Sequence, residues 1–412
     1  MDNELGTGIS CEQDVYDELF ALRSTTDWAY DCLTNRVCKI FDEHCSCSYN
    51  TFAAEKFPTR SEFSKWGVPY ADACYDSLED ERILKFESGI ETNRDFIEKC
   101  NYLIAEFYLY IAMMKYSNFF FTGVDPFIDK KMVAWDAVVS NKEANLSLFH
   151  ALEIGSSNLS IIEKKILVQS FLFFSLSGNC IDLSQTNFLH SNLSASVFDE
   201  ELLLCNDAIP FIEHLLHGCS VLSIVCDNCG VEFYADVLLA LCVIELGFVD
   251  SVEFCVKAFP TFVSDVTVDD VPIFLHMLQR EFPNVYDMYD KHAKSGVITY
   301  KGDYFFNNPT DYIRKEHLLN RIVSGDTAIF KGDLNYRRLV YDRDYPIDMS
   351  VSAFPKHLPS LALRTLKSDV LVGVEKDVAH RAEQKDVNWR VNGRFGVIQF
   401  FVGVDEHTTH VH

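Results

Sequence analysis

The chain contains 412 residues, of which 48% are hydrophobic, and its formal net charge at pH 7 is −25. This length and apolar content are sufficient for a large core and for two structural units. The negative charge repels phosphate backbones and anionic lipids, which excludes nucleic acids and membranes as primary partners.

The cysteines and the apolar segments indicate the compartment in which the chain functions. The fourteen cysteines have no regular spacing, and the first residues, MDNELGTGIS, lack the basic and apolar segments of a secretory signal. Apolar runs such as 237–249 are shorter than the roughly 18–20 residues that a membrane-spanning helix needs. We therefore expect reduced thiols and a cytoplasmic location, with the nucleus as a second compartment.

Residues 1–135 have the pattern of an all-α unit. Apolar positions recur at steps of three and four residues through 96–115, a spacing typical of helices. A further helix is predicted from about 160 to 177, and after it short β-rich runs alternate with longer helical ones. This alternation is typical of a parallel sheet flanked by helices. The sequence therefore predicts an all-α unit at 1–135 and an α/β unit at 136–412.

Polar residues follow three of the predicted strands directly. The run SVLSIVC (220–226) ends at Asp227 and Asn228. The run SVEFCVK (251–257) precedes a loop that contains Asp265, and Thr267 is the expected cap of the next helix. The run TAIF (327–330) leads into KGDLNYRR (331–338). Because loops at the carboxyl ends of parallel strands line one crevice, these segments are expected to converge on one site.

The residue types at this edge predict a metal site. Carboxylate and amide oxygens are hard ligands, so Asp227, Asn228 and Asp265 would suit Mg²⁺ or Mn²⁺. Asn228 and Asp265 are 37 residues apart (265 − 228), as expected for neighbouring strands joined by a helix. A strand-end aspartate is also a common helix cap or turn residue, so each of these residues has a structural interpretation as well.

Cationic residues further along the chain could hold a phosphate. Arg364, Thr365 and Lys367 supply a planar fork, a hydroxyl and an ammonium group within a short segment. The alternative for Arg364 and Lys367 is a pair on a solvated face. Glu232 and Asp236 lie one turn apart on the helix predicted after the first of these strands, where they either reach the site or remain in solvent.

Four blocks of sequence are specific enough to be compared with known families. They are CDNCGVEF (226–233), FPTFVSDVT (259–267), FKGDLNYRRL (330–339) and LRTLKSD (363–369). Together they resemble the damage-control phosphatase family, in the branch with an Arg-Thr-x-Lys motif that is also called acidic residue methyltransferase or sugar phosphate phosphatase. The segment AEFYLY (105–110) is similar to a helix of the family, but Ile111 stands where the family has an arginine.

The resemblance implies a fold and a reaction. The fold would be a helical N-terminal unit with a three-layer α/β/α sandwich that contains a mainly parallel, Rossmann-like sheet. The reaction would be metal-dependent hydrolysis of small phosphomonoesters in metabolite damage control, notably of sugar phosphates such as fructose 1-phosphate and fructose 6-phosphate. The cofactor would be Mn²⁺, Ni²⁺, Co²⁺ or Mg²⁺, and the partner a small phosphorylated metabolite.

The resemblance also implies roles for single residues, and their identities match the family's blocks. Asp227, Asn228 and Asp265 would bind the metal and form the catalytic centre, and Glu232 would contact a cofactor. The residues expected to bind the sugar phosphate are Asp333, Leu334, Asn335, Tyr336, Arg337, Arg364 and Lys367.

Two other functions are compatible with parts of the sequence. The resemblance implies, as an alternative, a methyltransferase that uses S-adenosylmethionine to modify protein glutamate and aspartate carboxylates, with a link to the DNA damage response. The segment LEIGSS (152–157) would be its glycine loop, although it has one glycine where such loops have two or more. A haloacid-dehalogenase-type phosphatase needs an aspartate two positions after the first, where this chain has Cys229.

Overall fold

The structure is a computed structural model that describes residues 32–78, 90–155, 159–178, 198–309, 319, 323–343, 345–354 and 358–402. The chain divides into two compact units: Met1–Gly123 with Asp342–Asp344, and Val124–Tyr341 with Tyr345–His412. The boundary predicted at 135–136 lies inside the helix Ile128–Ser140 of the second unit. The division instead falls after Gly123, which ends the helix Phe119–Thr122 in the left-handed conformation, a common signal for a helix end.

The described part of the first unit is helical. It begins with a π-helical turn, Cys32–Val37, and its α-helices are α1 (Cys38–His44), α2 (Tyr49–Ala54), α3 (Arg60–Ser64), α4 (Ala71–Leu78), α5 (Asn93–Lys99), α6 (Tyr102–Tyr116) and α7 (Phe119–Thr122). Reciprocal capping starts two of them, with Thr59 paired to Glu62 and Thr92 paired to Asp95. Such pairs satisfy backbone donors that the first turn of a helix leaves open.

Helix α6 is the central element of the first unit. Asn101 accepts the backbone N–H of Leu103 at its start, and all residues from 105 to 114 are buried. A helix that is apolar on every face is typical of a core position. Ile111 is 1% exposed, so an apolar side chain fits the position at which the resemblance expects an arginine.

The described helices of the second unit are α8 (Ile128–Ser140), α9 (Lys142–Gly155), α10 (Ile161–Gly178), α11 (Ala208–Leu216), α12 (Val231–Glu245), α13 (Asp270–Glu281), α14 (Pro283–Lys294), α15 (Gly332–Leu339) and α16 (Lys376–Lys385). The strands are β1 (Leu203–Asn206), β2 (Val221–Val225), β3 (Ser251–Lys257), β4 (Ile298–Asp303), β5 (Thr327–Lys331), β6 (Ser360–Thr365) and β7 (Gly396–Phe401). The helix predicted at about 160–177 is α10. Within the described ranges, no helix is long and apolar enough to cross a membrane.

The described strands form one sheet in the order β1-β7-β6-β5-β2-β3-β4. Strands β2 to β6 pair in parallel, whereas β7 is antiparallel to β6 and parallel to β1. This confirms the predicted α/β class with a mainly parallel sheet. Because β2 lies between β3 and β5, the loops that follow these three strands leave the sheet side by side at one edge.

Successive strand residues point to opposite faces of the sheet and pack into two separate cores. Leu222, Ile224 and Ile329 belong to one core, together with residues of α10 and α12. Ala328 and Phe330 belong to the other core, together with residues of α15 and α16. Helices therefore cover both faces of the sheet, which gives three layers.

The helix after β3 begins differently from the sequence expectation. Thr267 was the expected cap, but α13 begins at Asp270 and Asp269 occupies the cap position. The Asp270 carboxylate accepts both the backbone N–H and the hydroxyl of Thr267, each at 2.8 Å. The carboxylate is the stronger acceptor, so the threonine hydroxyl serves as a donor here instead of capping the helix.

Gly230 connects the loop after β2 to α12 in a conformation that requires glycine. Its φ is +75°, and a Cβ built on it would lie 2.6 Å from the Cβ of Ala134 and 2.8 Å from the Ala134 carbonyl oxygen. Any other residue at this position would strain the backbone and would overlap with Ala134. This contact fixes the position of α12 immediately after the predicted metal ligands.

We expect Gly230→Ala to lower the free energy of unfolding by about 3 kcal/mol, because a steric overlap is added to a backbone conformation that L side chains disfavour. Gly296→Ala is the matched control: its φ is +77°, and no heavy atom of the described chain would lie within 4 Å of the added Cβ. It should cost about 1 kcal/mol. Urea unfolding followed by circular dichroism measures both values, and equal losses would contradict the steric explanation.

Candidate active site

Backbone hydrogen bonds join the loops that follow β2 and β3. Asn228 and Asp265 form an isolated antiparallel bridge, and the N–H of Val266 donates to the carbonyl of Asp227 at 2.8 Å. Asp227, Asn228 and Asp265 are all buried. The structure thus brings the three predicted metal ligands together at the carboxyl ends of two neighbouring strands.

Three side chains orient the amide of Asn228. Its Nδ2 donates to Asp227 Oδ2 at 2.9 Å and to Glu232 Oε2 at 2.8 Å. Its Oδ1 accepts the hydroxyl of Ser264 at 2.6 Å. Because a carboxylate can only accept, the two carboxylates require the nitrogen on their side of the amide. The Ser264 bond uses one of the two lone pairs of Oδ1.

Lys257, the last residue of β3, supplies a buried positive charge at this site. Its ammonium forms an ion pair with the Asp265 carboxylate and lies 5.4 Å from the centroid of the Phe262 ring. Burial lowers the pKa of Lys257, while the Asp227 carboxylate acts in the opposite direction. Two buried carboxylates therefore share one buried cation, which offsets the cost of removing them from water.

The buried amide of Asn307 holds the loop between β3 and Asp265. Its Oδ1 accepts the N–H of Ala258 at 2.8 Å, and its Nδ2 donates to the Phe259 carbonyl at 2.7 Å and to the Thr261 hydroxyl at 2.6 Å. The same loop contains Phe262 in the left-handed region, with φ +64°. A strained residue of this kind persists only where surrounding contacts fix the backbone, as Asn307 does here.

Gly332 brings the start of α15 next to Asp227. Its φ is +78°, and a Cβ built on it would lie 1.9 Å from Asp227 Oδ2. No other residue could occupy this position without moving the carboxylate or the turn. The close approach places β5, the third predicted strand end, at the same site as β2 and β3.

Lys331, the last residue of β5, connects the site to two acidic residues of α12. Its Nζ lies 2.9 Å from Asp236 Oδ1 and 3.3 Å from Glu232 Oε1, and it donates to the Ser175 hydroxyl at 2.6 Å and to the Ser175 carbonyl at 2.8 Å. All four side chains are buried. Burial raises the pKa of Asp236, against the attraction of Lys331. Glu232 thus reaches Asn228, whereas Asp236 lies beside Lys331 in the interior, and neither forms a solvated face.

Arg364 and Asp333 form a second ionic cluster next to the start of α15. Asp333 Oδ1 accepts Arg364 Nε at 2.8 Å, Arg364 Nη2 at 2.7 Å, the Ser368 hydroxyl at 3.0 Å and the Lys367 backbone N–H at 3.2 Å. Arg364 also donates to the carbonyls of Ser368 and Val370. Burial raises the pKa of Asp333, but Arg364 and Arg337 outweigh it and hold that pKa below its usual range.

This geometry changes the interpretation of Arg364. The side chain is completely buried, its guanidinium stacks 4.3 Å from the centroid of the Tyr336 ring, and its donors are directed to protein acceptors. The solvated-face alternative is therefore wrong for Arg364. Its contacts order Asp333 and the backbone of Lys367, and direct contact with a substrate stays a prediction for this residue.

The remaining predicted substrate residues lie in α15 and after β6. Asn335 Nδ2 donates to the Lys331 carbonyl at 2.8 Å and to the Cys226 carbonyl at 3.4 Å, which ties α15 to the end of β2. The Tyr336 hydroxyl accepts the N–H of Val372 at 3.2 Å. Leu334, Arg337 and Lys367 are also buried. Their burial is consistent with a site interior and places none of them on an open surface.

Sequence reasoning missed four residues that shape this site: Lys257, Lys331, Asn307 and Ser368. Lysine as the final residue of an apolar strand was a usable signal, because both Lys257 and Lys331 end strands whose other residues are almost all buried. Asn307 and Ser368 carry no such signal, since polar loop residues are common and their contacts depend on the fold.

The donor set fits a divalent cation in chemical type. Within the described ranges, no three His, Cys, Asp or Glu side chains form a metal-binding group, and the predicted trio comprises two carboxylates with one amide. Hard oxygen donors of this kind hold Mg²⁺ or Mn²⁺ through few protein ligands, with water and phosphate completing the shell. The trio is thus suited to such an ion and not to zinc, which favours sulfur and nitrogen ligands.

A known protein-family model matches most of this chain. The Damage-control phosphatase ARMT1-like domain matches residues 34–381. The chain belongs to this family. The match includes both strand-end loops, the start of α15 and the Arg364–Lys367 segment, and it confirms the resemblance seen in the sequence blocks.

Several relatives in this family are named Damage-control phosphatase ARMT1. The protein of Danio rerio is 26% identical over 364 residues, which cover 80% of this chain and 81% of that protein. The protein of Xenopus tropicalis is 28% identical over 274 residues (60% and 62%), and that of Homo sapiens is 27% identical over 258 residues (56% and 57%). The alignments with the latter two therefore span about three-fifths of those relatives.

A solved structure is also similar to this damage-control phosphatase family member. It is the crystal structure of a DUF89 family protein from Pyrococcus horikoshii, which is 16% identical in sequence. The comparison covers 92% of this chain and 99% of that chain, with a TM-score of 0.46.

We expect Arg364→Lys to lower the free energy of unfolding by about 2–4 kcal/mol, because lysine keeps the charge but cannot supply the fork that reaches Asp333, Ser368 and Val370 together. Arg394→Lys is the control. Arg394 pairs with Asp386 at 2.9 Å but its side chain is 60% exposed, so the same exchange should cost less than about 1 kcal/mol. Chemical denaturation measures both variants, and a loss under 1 kcal/mol for Arg364→Lys would show that the fork is unimportant.

Proposed function

We propose that this protein is a metal-dependent hydrolase of small phosphomonoesters, with sugar phosphates such as fructose 1-phosphate and fructose 6-phosphate as substrates. Membership of the damage-control phosphatase family supports a phosphatase role in metabolite repair. The observation that carries the finer proposal is the buried group of Asp227, Asn228 and Asp265 at the carboxyl ends of β2 and β3.

A divalent ion would be held by Asp227, Asn228 and Asp265. When bound, such an ion supplies a Lewis acid for a phosphoryl group and a water of lowered pKa. The protein's own contribution is to pair and orient the ligands. Lys257 lies against Asp265, and the bridge between Asn228 and Asp265 fixes the spacing of the two loops.

The phosphate would be bound by cations in the last turn of α15 and after β6. Lys367 and Arg337 are the candidates, because both are cations of the matched sequence blocks and Arg337 lies close enough to Asp333 to lower the pKa of that carboxyl. The backbone N–H of Lys367 donates to Asp333, so the lysine is attached to a rigid ionic cluster. Charge-assisted bonds from a preordered cation lose less entropy on binding than bonds from a mobile surface lysine.

Methyl transfer from S-adenosylmethionine stays a prediction from the resemblance, and the described part of the expected glycine loop does not have the conformation that such a loop needs. Leu152–Gly155 of the expected glycine loop form the end of α9, while Ser156 and Ser157 lie outside the described residues. A cofactor-binding glycine loop normally follows a strand and opens a helix. The expected cofactor contact, Glu232, is 1% exposed.

Removal of metal provides the first test of the proposed reaction. We expect chelator-treated protein to release no phosphate from fructose 1-phosphate or fructose 6-phosphate, and Mn²⁺, Mg²⁺, Co²⁺ or Ni²⁺ to restore release. Asp227→Asn and Asp265→Asn should lower kcat at least 100-fold, because each removes a charged ligand. Phosphate release is measured over a panel of metals and sugar phosphates.

Asp326→Asn is the matched control for these variants. Asp326 accepts the N–H groups of Ser220 and Val221 at 2.9 and 3.0 Å, so it lies at the amino end of β2, opposite the site. Its kcat should remain within threefold of wild type. Full activity of Asp227→Asn and Asp265→Asn would remove the support for a catalytic metal at this edge.

The role of Lys367 can be tested separately. If its ammonium binds the phosphate, Lys367→Ala should lower kcat/KM by roughly 100-fold, which corresponds to about 2.7 kcal/mol. Lys376→Ala is the control, because the Lys376 side chain is 75% exposed and pairs with Asp348. Steady-state kinetics with the best sugar phosphate measures kcat/KM for both variants. A change in kcat/KM under threefold for Lys367→Ala would indicate a purely structural lysine.

A further inference from the structure

Glu232 is bound on both of its carboxylate oxygens by protein groups. Oε2 accepts the Asn228 amide at 2.8 Å, and Oε1 lies 3.3 Å from the Lys331 ammonium. The backbone is confined as well, since a Cβ built on Gly178 would lie 2.6 Å from Glu232 Cα. These contacts direct the carboxylate into the protein and toward a metal ligand, which is a different function from contact with a cofactor.

We propose that Glu232 is a positioning residue that selects the orientation of the Asn228 amide, and that Lys331 positions Glu232 in turn. The inference rests on the proposed function, because the orientation of Asn228 matters for metal binding if Oδ1 is a ligand. An asparagine amide can exchange its oxygen and nitrogen by a rotation of 180°. Glu232 favours the arrangement in which Nδ2 faces the carboxylates and Oδ1 faces Ser264.

Asp227 alone would not fix this orientation. Its carboxylate accepts the same Nδ2, but as a metal ligand it would be shared with the ion. Glu232 belongs to the first turn of α12 and is not among the predicted ligands, so its hydrogen bond to Asn228 persists whether or not metal is bound. Outer partners of this kind orient metal ligands, and their loss typically weakens metal binding 10–100-fold.

Lys331 makes the burial of Glu232 tolerable. An ionised carboxylate with 1% exposure needs an opposite charge nearby, because an unpaired buried charge is strongly destabilising. Lys331 provides it and is itself fixed by two hydrogen bonds to Ser175, the hydroxyl at 2.6 Å and the carbonyl at 2.8 Å. Glu232, Lys331 and Ser175 thus connect the Asn228 amide to α10 through contacts that all lie in the protein interior.

Asp236 is a natural control within the same helix. It is as deeply buried as Glu232, lies one turn further along α12 and pairs with the same Lys331 at 2.9 Å. Its other contact is the Ser175 hydroxyl at 2.6 Å, and not Asn228. Neutralising either residue disturbs the charge balance around Lys331, but Glu232 accepts a hydrogen bond from a predicted metal ligand, whereas Asp236 accepts one from Ser175.

The test is the Mn²⁺ affinity of chelator-treated full-length protein, measured by isothermal titration calorimetry. Glu232→Gln should bind Mn²⁺ at least tenfold more weakly than wild type, because a glutamine amide presents either a donor or an acceptor to Asn228 and no longer selects one orientation. Asp236→Asn should remain within threefold of wild type. Both variants should have a lower Tm, so a loss of stability alone would not separate them.

Glu232→Asp covers the case in which Glu232→Gln does not fold. It keeps the negative charge opposite Lys331 but is one methylene shorter, so the bond to Asn228 is lost or lengthened. The proposal is overturned if Glu232→Asp or folded Glu232→Gln binds Mn²⁺ within threefold of wild type. It is also overturned if Asp236→Asn loses as much affinity as they do.

Phosphate release measured in parallel separates this inference from the proposed function. Weakened Mn²⁺ binding in the Glu232 variants of a protein that hydrolyses no tested ester supports the positioning role and contradicts the proposed reaction. Unchanged Mn²⁺ affinity in an active Glu232 variant contradicts the positioning role and leaves the reaction in place. Wild-type protein that binds no Mn²⁺ overturns both.

Discussion

The burial of negative charge at the carboxyl ends of β2 and β3 is the constraint on which the site depends. Asp227, Asp265, Glu232 and Asp236 are all buried within two loops and the start of one helix. Like charges in a low-dielectric interior repel one another and lose hydration, so they must be paired with cations. The chain meets this requirement by ending the two strands on either side of β2 with a lysine, Lys257 in β3 and Lys331 in β5.

The two lysines neutralise different acidic groups of the site. Lys257 lies against the predicted metal ligand Asp265, whereas the Lys331 ammonium contacts Glu232, Asp236 and Ser175. The turn that follows Lys331 contains Gly332, whose missing side chain lets the backbone reach Asp227. One strand end thus both stabilises the acidic helix α12 and closes against the carboxylate that follows β2.

The sequence was sufficient to predict the α/β class, the mainly parallel sheet and the convergence of Asp227, Asn228 and Asp265, because buried strands and polar strand ends leave local patterns. It could not predict the function of Arg364. An Arg and a Lys three residues apart look alike as phosphate ligands, and only the fold shows that Arg364 faces Asp333 and the Val370 carbonyl. Likewise, the start of α13 at Asp270 depends on which partner accepts from Thr267, and this is a tertiary property.

The acidity of the whole chain and a phosphorylated substrate are compatible because they act over different distances. A net charge of −25 repels a polyanion that must contact many surface positions at once, but the field of distant charges is screened beyond about 8 Å at physiological ionic strength. A single small phosphate ester that enters a site is affected mainly by the groups within that distance. There, Lys367 and Arg337 lie next to a cluster in which Arg364 already balances Asp333. An unbalanced Asp333 would repel a phosphate at this position, and Arg364 and Arg337 offset its negative charge.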